Sequence, residues 1–223
     1  LRIWRSLEPD NPTGVDALSA LMRSRVMCRA FLSDEVDDDI VCEIVDLGTR
    51  APSAGRSQGL HIVELTGADR EKLWSTSLPG ERRDAFAFQG LLRAPVLLTL
   101  FVDPGAYVER YAEQDKAHTG LGAGKEMWRT PFWFVDAGML AMSMLLAAQA
   151  HGLGALFFAL PHPEDEIRFL LGVPDHLETV GVMALGYRDL SDPQAHGAGR
   201  SATRPRRTAE DVIHRGQWKS PEA

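Results

Sequence analysis

The stretch "FVDAGMLAMSMLLAAQAHGLGALFF" (residues 134–158) predicts a long apolar helix, a tight turn and a buried strand in direct succession. Gly152 stands where helices commonly end in the left-handed conformation. Polar side chains interrupt the helical part, a pattern that favours a buried core helix over a membrane span. These side chains are Asp136, Ser143 and Gln149. The fold is therefore expected to form around a central helix and the strand that follows it.

Short strands and helices are predicted on both sides of this unit. Apolar runs of strand length occupy residues 60–67, 94–103, 155–160 and 179–187. Helices are predicted over residues 16–26, from the acidic run at 37–39 to near Pro52, and over 68–77, 104–115 and 163–172. This order predicts an α+β fold in which roughly four core strands are surrounded by helices.

The chain divides into three parts. Residues 1–14 are expected to form an extended N-terminal arm, because their prolines and glycine discourage regular structure. Residues 15–188 hold the predicted helices and strands and form the core. Residues 189–223 are polar and rich in glycine and arginine, and they form a C-terminal extension.

Composition indicates a soluble protein of a reducing compartment. The 223 residues carry a formal net charge of −7, which argues against nucleic-acid binding by the whole molecule. Cys28 and Cys42 are the only cysteines and form no CxxC motif. The first residues, "LRIWRSLEPDNP", lack the apolar core of a signal peptide. We therefore expect a cytoplasmic protein that binds neither nucleic acid nor membrane.

Several well-known enzyme motifs are incomplete in this chain. "GLGAGKE" (residues 120–126) has Thr119 and Glu126 where a phosphate-binding loop needs a glycine and a hydroxyl residue, so we interpret it as a flexible lid. The "GLG" at 152–154 follows a helix and not a strand, which excludes a dinucleotide fingerprint. The seven histidines show no ligand spacing, and no metal site is expected.

Two groups of arginines remain as candidates for ligand binding. Arg25 and Arg29 lie four residues apart, either on one face of the first helix or just beyond its end. Arg204, Arg206 and Arg207 lie near the C-terminus. Two such groups that converge on one phosphate would form forked, charge-assisted hydrogen bonds. Ordinary surface charge is the alternative, and spacing alone favours it.

The loop "APSAGRSQG" (residues 51–59) is the second candidate feature. It follows a helix and precedes a strand, and it sets polar side chains on a frame of alanines and glycines. A frame with so few side-chain atoms lets a flat molecule approach the backbone closely.

Together these segments resemble the FMN-dependent nitroreductase family. "RVMCRAF" (residues 25–31) is similar to the family's RRSVRxF pattern, and "APSAGRSQG" to its APSxxNxQP loop. Residues 134–158 resemble the family's central helix and the GLG strand segment, and "RPRRTAEDVIH" (residues 204–214) its closing basic segment. The resemblance implies an α+β fold with a mixed sheet flanked by helices, in which two chains intertwine as a homodimer with two FMN sites.

The resemblance also implies roles for individual residues. The FMN phosphate would be held by Arg25, Arg204 and Arg206. Arg29 would reach the pyrimidine edge of the flavin, where a cation stabilises the negative charge that collects on reduction. The second copy of the chain would contact the flavin through Pro52, Ser53, Ala54 and Arg56. The backbone at Phe158 and Ala159 would face flavin N5 and O4.

The chain departs from the family pattern at three of these positions. Met27 stands where the family has a serine on the phosphate, so phosphate binding would rely more on arginine. Arg56 replaces the usual asparagine, and Gly59 the usual proline. Arg56 would cover the flavin, meet an acidic group of the substrate, or point into solvent.

The activity implied is the transfer of hydride from NAD(P)H through FMN to a small planar acceptor such as a nitroaromatic or a quinone. No dedicated acid or base is needed, and none is assigned. Aromatic side chains are candidates for a lid over the substrate, although packing alone is the commoner role. They are Tyr107, Tyr111, Trp128, Phe132 and Trp133. The alternatives are a specialised FMN oxidase or dehydrogenase, a flavin-cleaving enzyme related to the dimethylbenzimidazole synthases, or a non-catalytic flavin-binding protein.

Overall fold

The computed structural model of the chain describes residues 12–197 and 203–218. Its centre is one sheet with the strand order β1-β2-β4-β3, and all three pairings are antiparallel. The strands are β1 (Leu60–Leu65), β2 (Val96–Val102), β3 (Gly154–Phe158) and β4 (Glu178–Gly186). The prediction of four core strands is confirmed. A mixed sheet was expected, with parallel as well as antiparallel pairing. Among the described residues the parallel pairing is an isolated bridge between Met27 and Ala155.

Helices cover the sheet and its edges. They are α1 (Pro12–Ser24), α2 (Asp38–Thr49), α3 (Gly67–Ser77), α4 (Glu81–Asp84), α5 (Pro104–Ala112), α6 (Phe132–Ala150), α7 (Glu164–Leu170) and α8 (Ala209–Val212). The predicted start of α2 is confirmed, because the Asp37 carboxylate caps the helix by accepting from the Asp39 N–H. The predicted helix end at Gly152 is confirmed by its φ of +76°.

The prediction of an extended arm over residues 1–14 is wrong for its last three residues. Helix α1 begins at Pro12 and therefore includes Gly14. Proline suits the first turn of a helix, because its φ is already helical and the missing N–H would have had no partner within the helix. Residues 1–11, with Pro9, lie outside the described part of the chain.

The core lies on both sides of β2, whose seven residues are all buried, as the continuous apolar run predicted. Helix α6 packs on one side, against the sheet and against α2. The two helices approach closely at Gly48, where an added Cβ would lie 2.5 Å from Met144 Cγ. A larger residue at this crossing would therefore force the Met144 side chain to move.

Two helices keep apolar side chains exposed. By length and composition α6 is long enough to cross a membrane, but half of it is buried inside the molecule, as in a core helix. Its outward face carries Phe132, Val135 and Met139, and α1 carries Val15, Leu18 and Met22, all of them exposed. These residues form two exposed apolar faces on the described part of the chain.

Candidate functional site

The loop at residues 51–59 has an unusual backbone conformation. Gly55, Arg56 and Gln58 have φ values of 62°, 60° and 53°, in the left-handed region that glycine tolerates and other residues rarely adopt. The Ser53 hydroxyl accepts a hydrogen bond from the Gln58 N–H at 3.3 Å. Side chains such as those of Arg56 and Gln58 hold this conformation only where their surroundings enforce it, and such sites are frequently functional.

Asp136 fixes the start of the loop from the central helix. Its Oδ2 accepts from the Ala54 N–H at 2.7 Å and from the Tyr107 hydroxyl at 2.9 Å. Asp136 is only 6% exposed. Burial, together with the hydrogen bond to the Asp136 carboxylate, raises the pKa of Tyr107 well above its usual range, so the phenol stays protonated and continues to donate.

Arg110 fixes the loop one residue further on. Its Nε donates to the Gly55 carbonyl at 2.8 Å, and its two terminal nitrogens bind both oxygens of Asp115 at 2.8 Å. Hydrogen bonding to Arg110 lowers the pKa of Asp115 to about 2. Tyr111 packs against the loop so closely that a Cβ at Gly55 would lie 2.7 Å from its ring. The loop is therefore held by both α5 and α6.

Three of the five proposed lid aromatics belong to the core. Tyr107, Trp128 and Trp133 are buried and pack edge to face, with ring centres 5.9 to 6.1 Å apart. Phe132 is 41% exposed and Tyr111 is half-buried. Of the five rings Phe132 is the most exposed, whereas Lys116 lies over the Tyr111 ring, 5.6 Å from its centre, and the other three rings belong to the core.

The glycine-rich segment interpreted as a flexible lid has defined local structure. It lies within three short 3-10 turns, Ala117–Thr119, Leu121–Ala123 and Lys125–Met127. The indole N–H of Trp128 donates to the Leu121 carbonyl at 3.0 Å and ties the segment to the aromatic cluster.

The first arginine pair lies beyond the end of α1, which is the second of the two predicted placements. Arg25 is half-buried, and its Nε and Nη1 are buried without a hydrogen-bond partner among the described residues. The Cys28 N–H donates to the Ala155 carbonyl at 2.9 Å, so this segment runs along the outer edge of β3. Arg29 Nη1 donates to the Met27 carbonyl at 3.3 Å, and its guanidinium lies 5.5 Å from the centre of the Phe88 ring.

The residues proposed to face the flavin ring end the same strand. Phe158 closes β3, and its side chain stacks on Trp74 in the core, with ring centres 6.3 Å apart. Ala159 follows and is exposed. Because Met27 pairs with Ala155 on this strand, the structure places the first arginine segment beside the strand that ends at Phe158.

Among the described residues, the C-terminal arginines form no hydrogen bond with this edge, and the loop lies apart from it. Arg204 and Arg206 are exposed and hydrogen-bond to no described residue, while Arg207 donates to the Asp211 carbonyl. The loop at 51–59 leads into β1, which is the opposite edge of the sheet from β3. In one chain, the two groups of proposed flavin contacts are therefore separated by the width of the sheet.

Asp136 and Arg110 were not identified from the sequence as residues of the site. The available signal was an acidic residue inside the most apolar helix, since a carboxylate rarely lies there without a specific partner. Among residues 12–197 and 203–218, no group of His, Cys, Asp or Glu side chains is arranged to hold a metal ion.

Comparison with known proteins gives consistent results. A family model described as "Nitroreductase family" matches residues 22–187. A 5,6-dimethylbenzimidazole synthase of Rhodospirillum rubrum is 28% identical over 211 residues, covering 87% of this chain and 94% of that protein. An NADPH-flavin oxidoreductase of Vibrio harveyi is 31% identical over 201 residues, covering 86% of this chain and 70% of that protein.

A solved structure supports the fold. A nitroreductase-like protein of Streptococcus mutans matches with a TM-score of 0.68 and 16% sequence identity, covering 90% of this chain and 98% of that one. At this identity the likeness shows a shared architecture.

Proposed function

The chain belongs to the nitroreductase family of oxidoreductases, and we propose that it is an FMN-dependent enzyme that uses NAD(P)H to reduce a small planar acceptor of the nitroaromatic or quinone type. When bound, FMN would supply the redox chemistry by accepting and donating hydride. The protein's own residues would bind the cofactor, orient it and exclude water.

The observation that carries this proposal is the unpaired guanidinium of Arg25. A buried arginine nitrogen without a hydrogen-bond partner is destabilising, and native proteins rarely leave one in that state. A phosphate group beside Arg25 would accept a charge-assisted hydrogen bond from one of these nitrogens. The donor set of this segment therefore fits the FMN phosphate, even though Met27 offers no hydroxyl.

The remaining cofactor contacts would surround this arginine. Arg204 and Arg206, exposed in the single chain, would complete the phosphate site. Arg29 would place its positive charge at the pyrimidine edge of the flavin. The backbone at Phe158 and Ala159 would meet the reactive edge of the ring, since both lie at the end of the strand that borders the first arginine segment.

The sheet order supports a homodimer with shared sites. The loop leads into β1 at one edge of the sheet, and the first arginine segment runs along β3 at the other. These two edge strands of the four-stranded sheet are three strand spacings apart, which is about 14 Å. A second copy of the chain can bring Pro52, Ser53, Ala54 and Arg56 to the arginine edge without crossing the sheet. The exposed apolar faces of α1 and α6 would form the interface, because apolar faces of this extent are typical of association surfaces. We further propose that this dimer is cytoplasmic.

The acceptor would lie between the flavin and the aromatic residues near the loop. Phe132 and Tyr111 would stack on a planar substrate, and the buried rings of Tyr107, Trp128 and Trp133 would keep them in position. Arg56 is exposed and its side chain hydrogen-bonds to no described residue, so it is available to contact either the flavin or a substrate.

Flavin binding by single-site variants tests the proposal. Purified protein should be yellow and should bleach anaerobically with NADH or NADPH. Arg25→Ala, alone and with Arg206→Ala, should weaken FMN binding strongly but leave riboflavin binding nearly unchanged, because only FMN carries the phosphate. Arg23→Ala is the matched control, since Arg23 lies two residues earlier in the last turn of α1, is exposed and, among the described residues, hydrogen-bonds only to Ser19. Equal FMN affinity of wild type and the double variant would refute the phosphate assignment.

The relative from Rhodospirillum rubrum, a 5,6-dimethylbenzimidazole synthase, favours the alternative of a flavin-cleaving enzyme. Aerobic incubation of the reduced protein distinguishes the two activities. A reductase returns to the oxidised flavin spectrum, whereas a cleaving enzyme loses the flavin spectrum permanently and releases the new product.

A further inference from the structure

A cavity of about 250 Å³ lies within a single chain, between α2, α6 and the β1–β2 edge of the sheet. Part of its lining comes from the loop at residues 51–59. Most of the remaining wall is aliphatic, and these side chains are Val45, Leu60, Ile62, Val102, Ala137 and Leu140. For comparison, a dry cavity of about 150 Å³ in another protein is large enough to hold benzene. The cavity therefore has room for a single substituted ring.

Asp136 is the only charged side chain among the residues that line this cavity. Both hydrogen bonds to its carboxylate, from Ala54 and from Tyr107, end on Oδ2. Oδ1 accepts no hydrogen bond from the described residues, and no cation among them lies within ion-pair distance. Asp136 as a whole residue is nevertheless only 6% exposed. Oδ1 is not among the fully buried polar atoms that lack a partner, so it is accessible and can accept from a donor that enters the cavity.

We propose that this cavity is a binding site for a compact, uncharged ring compound whose O–H or N–H group donates to Asp136 Oδ1. The aliphatic wall would bury the ring, and the carboxylate would select for a donor and against an anion. This site adjoins the proposed flavin site, because Pro52 and Ser53 also line the cavity, and it does not require a bound flavin. It is linked to the flavin loop, since the same carboxylate holds the Ala54 N–H.

Phenol and anisole form a matched pair of probes, because they share a ring and differ in the donor. Calorimetry with the protein as purified should show phenol binding about tenfold or more tighter than anisole, as expected for one hydrogen bond to a charged group. Benzoate should not bind. Equal affinities of phenol and anisole for the wild type would overturn the proposal.

Two variants locate the site. In Asp136→Asn the amide oxygen must accept from Ala54 and Tyr107, so the NH2 group faces the cavity and the preference for phenol over anisole should disappear. Ala137→Phe fills the cavity and should abolish binding of both compounds. The control is Asp165→Asn, an exposed carboxylate on α7 that does not line the cavity. Phenol that still binds to Ala137→Phe, for example by stacking on the flavin, would contradict the assignment.

A measurement on the unmodified protein covers the case in which a variant does not fold. Nuclear Overhauser contacts should connect the phenol ring protons with the methyl groups of Ile62 and Leu140. Their absence at saturating phenol would refute the site without bearing on whether the protein binds FMN.

Discussion

Removing the Tyr107 hydroxyl is expected to destabilise the protein through Asp136. In Tyr107→Phe the carboxylate loses a donor at 2.9 Å in a buried environment. Hydrogen bonds to charged groups contribute roughly 1.5–3 kcal/mol, so we expect the free energy of unfolding to fall by about 2 kcal/mol. For a chain of this length that corresponds to a drop in Tm of about 4–8 °C.

Differential scanning calorimetry at one fixed protein concentration measures this drop, because the Tm of a dimer depends on concentration. Tyr111→Phe is the matched control: Tyr111 is a half-buried tyrosine of the same helix whose hydroxyl hydrogen-bonds to no described residue. A Tyr107→Phe variant with the Tm of the control would refute the reasoning. An undiminished effect of Tyr107→Phe in an Asp136→Asn background would show that the charge of the acceptor is unimportant.

The same pair predicts a pH dependence with a definite sign. The folded protein raises the pKa of Tyr107, mainly by burial and then by the Asp136 hydrogen bond. The protonated phenol is therefore favoured in the fold, and its contribution is fully present below the ordinary tyrosine pKa of about 10. It is lost as the pH rises further, because the unfolded chain then releases the proton more readily. The stability difference between wild type and Tyr107→Phe should shrink above about pH 10.

Three further changes test the packing and the loop. Gly48→Val should lower the Tm by several degrees, because its Cβ would lie 2.5 Å from Met144 Cγ. Gly14→Val is the control and should not lower the Tm, because Gly14 has open space around it. Arg56→Asn should raise the free energy of unfolding in urea by about 0.5–1 kcal/mol, since asparagine tolerates a φ of 60° better than arginine; a decrease would contradict the strain argument. Arg110→Ala should speed hydrogen exchange of the amides of residues 54–58, and Arg50→Ala, which removes only an exposed ion pair to Asp46, should leave it unchanged.

The fold was largely predictable because its signals are local. The central helix, its end at Gly152 and the fully buried β2 each follow from the order of apolar and polar residues within one segment. The start of α1 was missed because proline breaks a helix interior but suits its first turn, and sequence alone does not say which position Pro12 occupies. Boundaries of this kind depend on which residues pack next.

The site was less predictable because its contacts are distant in sequence. The loop motif and Arg25 are predicted from their residue types and remain predictions. The hydrogen bond from Ala54 to Asp136 joins residues 82 positions apart, and no local pattern specifies it. Burial of Trp128 and Trp133 was equally hidden, because an aromatic residue next to a glycine-rich segment is compatible with both a lid and a core.

The free-energy cost of the left-handed loop residues is offset in part by the hydrogen bond from the loop to the buried carboxylate. Arg56 and Gln58 together cost roughly 2–4 kcal/mol relative to an ordinary backbone conformation, at about 1–2 kcal/mol each. The Ala54 bond to Asp136 contributes roughly 1.5–3 kcal/mol, and the bond from Arg110 to the Gly55 carbonyl adds to it. The cost and the contribution of the Asp136 bond overlap in size, so loss of either contact would weaken the hold on the loop. A ligand on Asp136 Oδ1 would thus act on a loop whose conformation is nearly balanced, and a change of about 1 kcal/mol there would alter how often the loop presents its backbone to the flavin.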